Sequence, residues 1–213
     1  MNIAGQTIKA YTDDVFSAKP VPGGGSAAAL IGSQGAALAG MLTKLTTAKK
    51  IFQSFEPDVQ EEFMRLEKFF GEQKDRLLAL SSDDVKAFAD VLAAIRLPRD
   101  SEAEATERRV RMQAAQTHAT LVPLETARTA LETLRKMKPV IARGNVNAIS
   151  DGAIGALCLD LAVQGGVYNV RINLPGLSDA DLVEELRAEC GTLIAESDAL
   201  KSELIANVDT RLG

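Results

Sequence analysis

PVPGGGSAAALIGSQGAALAGMLTKL, residues 20–45, decides the fold. A proline-gated triple glycine runs straight into Ser26 and a series of small apolar residues that reads as a helix. Gly23, Gly24 and Gly25 can adopt backbone angles closed to other residues. Ser26 is a natural N-cap, and the helix behind it presents unpaired N–H groups and the positive end of its dipole. Two readings follow: a plain turn with a helix start, or a cradle for a carboxylate, a phosphate or a carbonyl-rich heterocycle. No Lys-Ser or Lys-Thr follows at Walker spacing and no strand precedes, so neither a P-loop nor a dinucleotide fingerprint is present. Further along, Gly32, Gly35, Ala36, Ala39 and Gly40 leave little side chain on any face. Glycine inside a helix costs roughly 1 kcal/mol against alanine, so this smoothness needs a packing reason. A subunit interface is the expected one, with close packing inside one chain as the alternative.

Working outward, helix follows helix and no alternating strand pattern occurs. Thr7 to Ala18 is short and amphipathic, and Ser26 to about Lys50 is the second helix. A long helical stretch follows Pro57 and ends at Leu97, before Pro98. Ser101 opens the next, with Glu102, Glu104 and Glu107 where the dipole favours them. Pro123 should bend it, and Lys136 and Lys138 should close it before Pro139. After a loop through Arg143, Gly144 and Asn145, an Ala/Gly-rich helix starts near Ser150. Pro175 and Gly176 break it, and a last amphipathic helix spans Asp179 to about Arg211. The expectation is an all-α, single-domain bundle over residues 1–213, of about six helices, some long or kinked, dimerising through helices.

Composition narrows the function. The 213 residues are 46% hydrophobic, enough for a full core, and the net charge is −5 with scattered basic residues, which argues against nucleic acid. Cys158 and Cys190 lack CxxC spacing, a lone His118 cannot anchor a metal, and no signal peptide is evident. No metal and a reducing cytoplasm are expected. Residues 26–43 are uncharged but dominated by alanine and glycine, with Ser33 and Gln34 in the middle, so no membrane span is expected.

Two further places carry chemistry. Leu77, Ser81, Asp84, Phe88, Val91 and Ile95 follow helical spacing and would share a core face, which places Asp84 among apolar residues. A buried carboxylate needs a partner or a raised pKa, as a catalytic acid or base does. A wider face through Leu78, Val85 and Leu92 would put Asp84 at the core's edge, leaving a structural role open. The second place is GNVNAISD, residues 144–151, with YNVRIN at 168–173. Asn145, Asn147, Ser150 and Asp151 crowd a helix start where capping needs one group. Asp151 and Asn169 lie five turns apart, about 27 Å, so they serve a long ligand or different sites. Asn169 and Asn173 share a face beside apolar residues and call for partners.

In this order and at these separations, PGGGSAAAL, DDVKAFADVLAAIRLP, VPL at 122–124, GNVNAISDGAIGAL and YNVRINL resemble the formimidoyltetrahydrofolate cyclodeaminase and methenyltetrahydrofolate cyclohydrolase family. The likeness runs from about Pro20 to Leu212. It implies an all-helical homodimer with folate sites near the subunit interface, a tetrahydrofolate derivative as substrate, and no tightly bound cofactor. It also implies that Gly23 to Gly25, Asp84 and the Asn145 to Asp151 loop line the site. Lys49 and Lys50 match the family's lysine-rich stretch, whereas Ala48, Ile51 and Phe52 stand where glycine, lysine and tyrosine are common. On this resemblance Asp84 and Lys49 are the candidate proton-transfer residues. Gly23, Gly24, Gly25, Ser26, Lys50, Asn145, Asn147, Ser150, Asp151, Asn169 and Asn173 are the candidate substrate-binding ones. The cyclohydrolase is favoured over the cyclodeaminase because no formiminotransferase domain accompanies it in the sequence. A folate-binding or assembly protein without turnover is the alternative from another class.

Overall fold

The computed structural model describes residues 3–213, and among them the chain is helical throughout, without strands. Short α1 (Ile8–Phe16), capped by the Thr7 hydroxyl, leads to α2 (Gly24–Thr47). α3 (Pro57–Ile95) uses Pro57 in its first turn, where the missing N–H costs nothing. α4 (Glu102–Arg135) starts with a capping box in which Ser101 and Glu104 satisfy each other's backbone N–H groups. α5 (Lys138–Arg143), α6 (Ile149–Asn173) and α7 (Ala180–Leu212) complete the chain. Six helices, α1 to α4, α6 and α7, match the sequence expectation to within a few residues. α5 is the exception: Pro139 sits in its first turn, so it starts a helix as well as separating it from α4.

α2 is the axis of the bundle, antiparallel to α3 on one side and to α6 on the other. Its small residues are consumed there. A Cβ on Gly32 would lie 2.8 Å from Ala162 Cβ, and one on Gly35 would lie 2.8 Å from the Gly155 carbonyl oxygen. Ala36 and Ala39 are fully buried within the single chain. The smoothness expected to serve a subunit interface therefore serves intrachain packing. Either side of this axis, Leu42, Phe63, Phe70, Leu77, Leu124, Leu159 and their neighbours form one continuous core.

α7 lies along α4 and α6. Arg128 and Arg135 each form a two-pronged ion pair, with Glu189 and Glu196, and Lys138 reaches Glu203. Between α6 and α7 the buried Asp160 accepts from Ser197 at 2.7 Å and from Lys201 at 3.2 Å, which satisfies a carboxylate that water does not reach. The segment after α2 folds as a short 3-10 turn, Lys50–Ser54, that drives Phe52 into a cluster with Phe55 and Phe63, ring centroids 5.4 and 5.7 Å away. Phe52 is thus a core residue here. By length and composition α2 and residues 146–176 could cross a membrane, but of the most apolar 18-residue stretch in each, 56% and 50% is buried against the rest of the bundle. They are core helices.

Candidate functional site

α2 begins one turn earlier than the serine suggests, with Gly23 as N-cap and Ser26 in its third position. None of the three glycines uses a left-handed backbone; Gly23 sits at φ −121°, ψ −159°. At Gly25 the reason is steric. A Cβ on Gly25 would stand 2.2 Å from Asp84 Oδ1 and 2.7 Å from its Cγ, so the carboxylate occupies the space where a side chain would be. A Cβ on Gly24 would meet the Asn169 amide at an ordinary 3.5 Å.

Asp84 comes to this place from α3. It is half-buried at the edge of the core, because the buried face passes through Leu77, Leu80, Val85 and Ala87 while Phe88 and Ile95 are 37% and 48% exposed. The face drawn through Phe88 and Ile95 is corrected accordingly: they lie on the partly exposed border of α3. Burial pushes the Asp84 carboxyl above its ordinary value, and the Ser26 backbone N–H facing it pulls part of the way back. A carboxyl poised in this way exchanges protons nearer neutrality than a solvated aspartate.

Tyr11, which the sequence did not single out, closes the cluster. It is 8% exposed, and its hydroxyl lies 3.4 Å from Ser26 Oγ. Burial raises its pKa, the Ser26 hydroxyl lowers it, and the charge of Asp84 raises it again, so the phenol holds its proton. Nothing in residues 7–16 signals a partner 73 positions away; only the folded arrangement, with Ile3 N–H donating to Ser82 Oγ at 3.1 Å, brings α1 over α3.

Asn169 reaches the same end on α6, its Nδ2 donating to the Gly165 carbonyl at 2.7 Å. Asn173, a turn further, donates to the Ala119 carbonyl of α4 at 2.8 Å. The remaining candidates gather at the opposite end of α2. There Asn145 donates its N–H to Thr46 Oγ1 at 2.8 Å and its amide to the Leu45 carbonyl at 3.3 Å, while its Oδ1 accepts from the Asn147 N–H. Lys49, Lys50, Asn147 and Ser150 are exposed beside it and Asp151 is half-exposed in the first turn of α6. A helix rises 1.5 Å per residue, so Gly25 and Thr46 are about 32 Å apart. Within one chain, Asp84 and Lys49 cannot touch the same reacting atom. Among the described residues no three His, Cys, Asp or Glu side chains stand close enough to hold a metal.

The formiminotransferase-cyclodeaminase family model matches residues 7–192. The chain belongs to that family. It is 35% identical over 207 residues to the methenyltetrahydrofolate cyclohydrolase of Methylorubrum extorquens, covering 97% of this chain and 98% of that protein. It is 29% identical to the rat formimidoyltransferase-cyclodeaminase, where it covers 96% of this chain but spans 37% of the longer protein. The crystal structure of the formiminotetrahydrofolate cyclodeaminase of Thermotoga maritima superposes with a TM-score of 0.77 at 28% identity, covering 99% of this chain and 97% of that one.

Proposed function

We propose that this member of the family is a methenyltetrahydrofolate cyclohydrolase. The observation that carries the reading is Asp84, desolvated against Gly25 and Ser26, together with near full-length similarity to a protein of that name. Water adds to the amidinium carbon between N5 and N10, and Asp84 takes one of its protons. The adduct's hydroxyl then loses its proton as the C–N5 bond breaks and N5 is protonated, giving 10-formyltetrahydrofolate and one net proton. The raised pKa lets Asp84 both accept and return a proton, each transfer contributing typically 10²–10⁴-fold. The N-terminal N–H groups of α2 and the Asn169 amide suit a carbonyl-rich pterin. The substrate is the tetrahydrofolate derivative, with no resident cofactor, and the two free thiols fit a reducing cytoplasm.

The second reading is the cyclodeaminase, in which N10 attacks the formimino carbon and ammonia leaves. A chain of similar extent bears that name in Thermotoga maritima, so the absence of a transferase domain from a chain does not by itself tell the two reactions apart. Decay of methenyltetrahydrofolate absorbance, set against ammonia release from 5-formiminotetrahydrofolate, decides between them. Activity in neither assay leaves the non-catalytic folate binder.

The reading includes a dimer. Over the middle of α6 and the last turns of α2 an apolar face meets solvent, with Met41, Leu45, Ile154, Leu157 and Leu161 between 38% and 52% exposed and Lys44 as the charge at its edge. Such a surface suits a second copy. A two-fold axis across antiparallel α2 helices would bring the partner's Lys49 and Lys50 beside Asp84, joining two clusters that one chain keeps apart. Leu157→Glu should give monomers and abolish turnover together; fully active monomers would refute the shared site.

A further inference from the structure

Pro123 interrupts the hydrogen-bond ladder of α4 without ending the helix, which continues from Glu102 to Arg135. Proline has no N–H, so the carbonyl four residues back, that of Ala119, loses its helical donor. Asn173, at the end of α6, supplies the replacement through Nδ2 at 2.8 Å. Contact at this break is close. A Cβ on Gly166 would stand 2.6 Å from the Pro123 carbonyl oxygen. One turn before Asn173, Asn169 lies against Gly24 with its amide on the Gly165 carbonyl. The α2–α6 contact nearby is Gly165 on Ala28, a smooth seam without interlocking side chains to fix axial position. A directional hydrogen bond fixes it instead.

We propose that Asn173 is a positioning residue: by taking the acceptor that Pro123 frees, it sets the register of α6 on α4 and holds Asn169 at the Gly24–Gly25 wall. In placing folate at that wall the inference rests on the function proposed above. The proline and the asparagine are then two halves of one device, 50 positions apart in sequence.

The test uses the full-length chain. Asn173→Ala leaves the Ala119 carbonyl without a donor and cuts the tie between α4 and α6. Adding Pro123→Ala restores a helical N–H to that carbonyl but leaves the tie cut. Asn173→Ala should lower Tm by roughly 3 °C and weaken tetrahydrofolate binding about tenfold. The double variant should regain most of the Tm and keep the weakened affinity, with the Asn169 side-chain amide resonance displaced in both. Pro123→Ala alone controls for straightening α4. Affinity that recovers along with Tm would reduce Asn173 to a stabilising contact and overturn the proposal, as would an unmoved Asn169 resonance in both variants. These readouts do not depend on turnover. Protein that binds tetrahydrofolate but does not open the methenyl ring refutes the cyclohydrolase while the Asn173 comparison stands. Protein that binds no tetrahydrofolate refutes the folate site itself, and the Asn169 resonance still reports on the register.

Discussion

At its N-terminus α2 buries Ser26 against Tyr11 and Asp84, whereas at its C-terminus it delivers Lys49 and Lys50 to solvent beside an exposed Asn147. The same two helices, α2 and α6, frame both ends, so the difference comes from what covers them. α1 and α3 close the first end and remove a carboxylate from water. At the second, the 3-10 turn after α2 drives Phe52 inward and leaves the lysines out. One end has the desolvation that shifts a pKa; the other has exposed positive charge suited to gripping a long anionic tail. Chemistry at the first and binding at the second is the division this implies.

Asp84→Asn tests it most sharply. Turnover should fall at least about 10²-fold with tetrahydrofolate affinity and helical content kept. Near-normal kcat would return Asp84 to a structural role. Next in size is the contrast between neighbouring glycines. Gly25→Ala sets a methyl into the Asp84 carboxylate and should cost about tenfold or more in kcat/KM, while Gly24→Ala, at ordinary contact distance from Asn169, should stay within about threefold. Equal effects at both positions would mean that the carboxylate yields freely. At the lysine end, Lys49→Ala with Lys50→Ala should raise KM several-fold, about fivefold at low salt, leave kcat alone, and lose its effect at high ionic strength. A fall in kcat instead would place proton transfer at that end.

The smallest effect concerns stability. Asp84 has a folded pKa above its unfolded value, so the folded state binds the proton more tightly, and stability is lost as pH rises through the folded pKa. The asparagine variant removes that loss. It should melt roughly 2 °C higher than wild type near neutral pH, the gap closing as the solution is acidified toward the unfolded pKa. A gap that widens on acidification would mean that the carboxylate is held ionised by a favourable partner.

Much of this was legible in the sequence because helix ends are local. Thr7, Ser101 and Asp179 cap, Pro57 opens and Pro175 stops, and each acts within a turn of itself. Pro139 misled because proline both ends one helix and starts another, and the sequence alone does not say which. The site was legible as a set of residues and illegible as an arrangement. Tyr11 meets Ser26, and Asp84 meets Gly25, through the packing of α1 and α3, which no local pattern encodes. The glycine run suggests backbone freedom, whereas Gly25 serves through its missing side chain. On α3 a four-three spacing fits both a buried stripe and its border, so Phe88 and Ile95 read as core although they are partly exposed.

Gly35 and Gly155 each hold the other's carbonyl oxygen in the place of a side chain, a Cβ on the first standing 2.8 Å and on the second 3.1 Å from the opposing oxygen. The obstacle at this crossing is main chain, so no neighbour can change rotamer to make room, and enlarging either residue pushes the helices apart along their length. Compensation by a second mutation is closed as well, since there is no smaller residue to fall back on. The crossing is therefore a fixed point under sequence drift, and anyone redesigning this bundle has to leave that pair alone and vary what surrounds it.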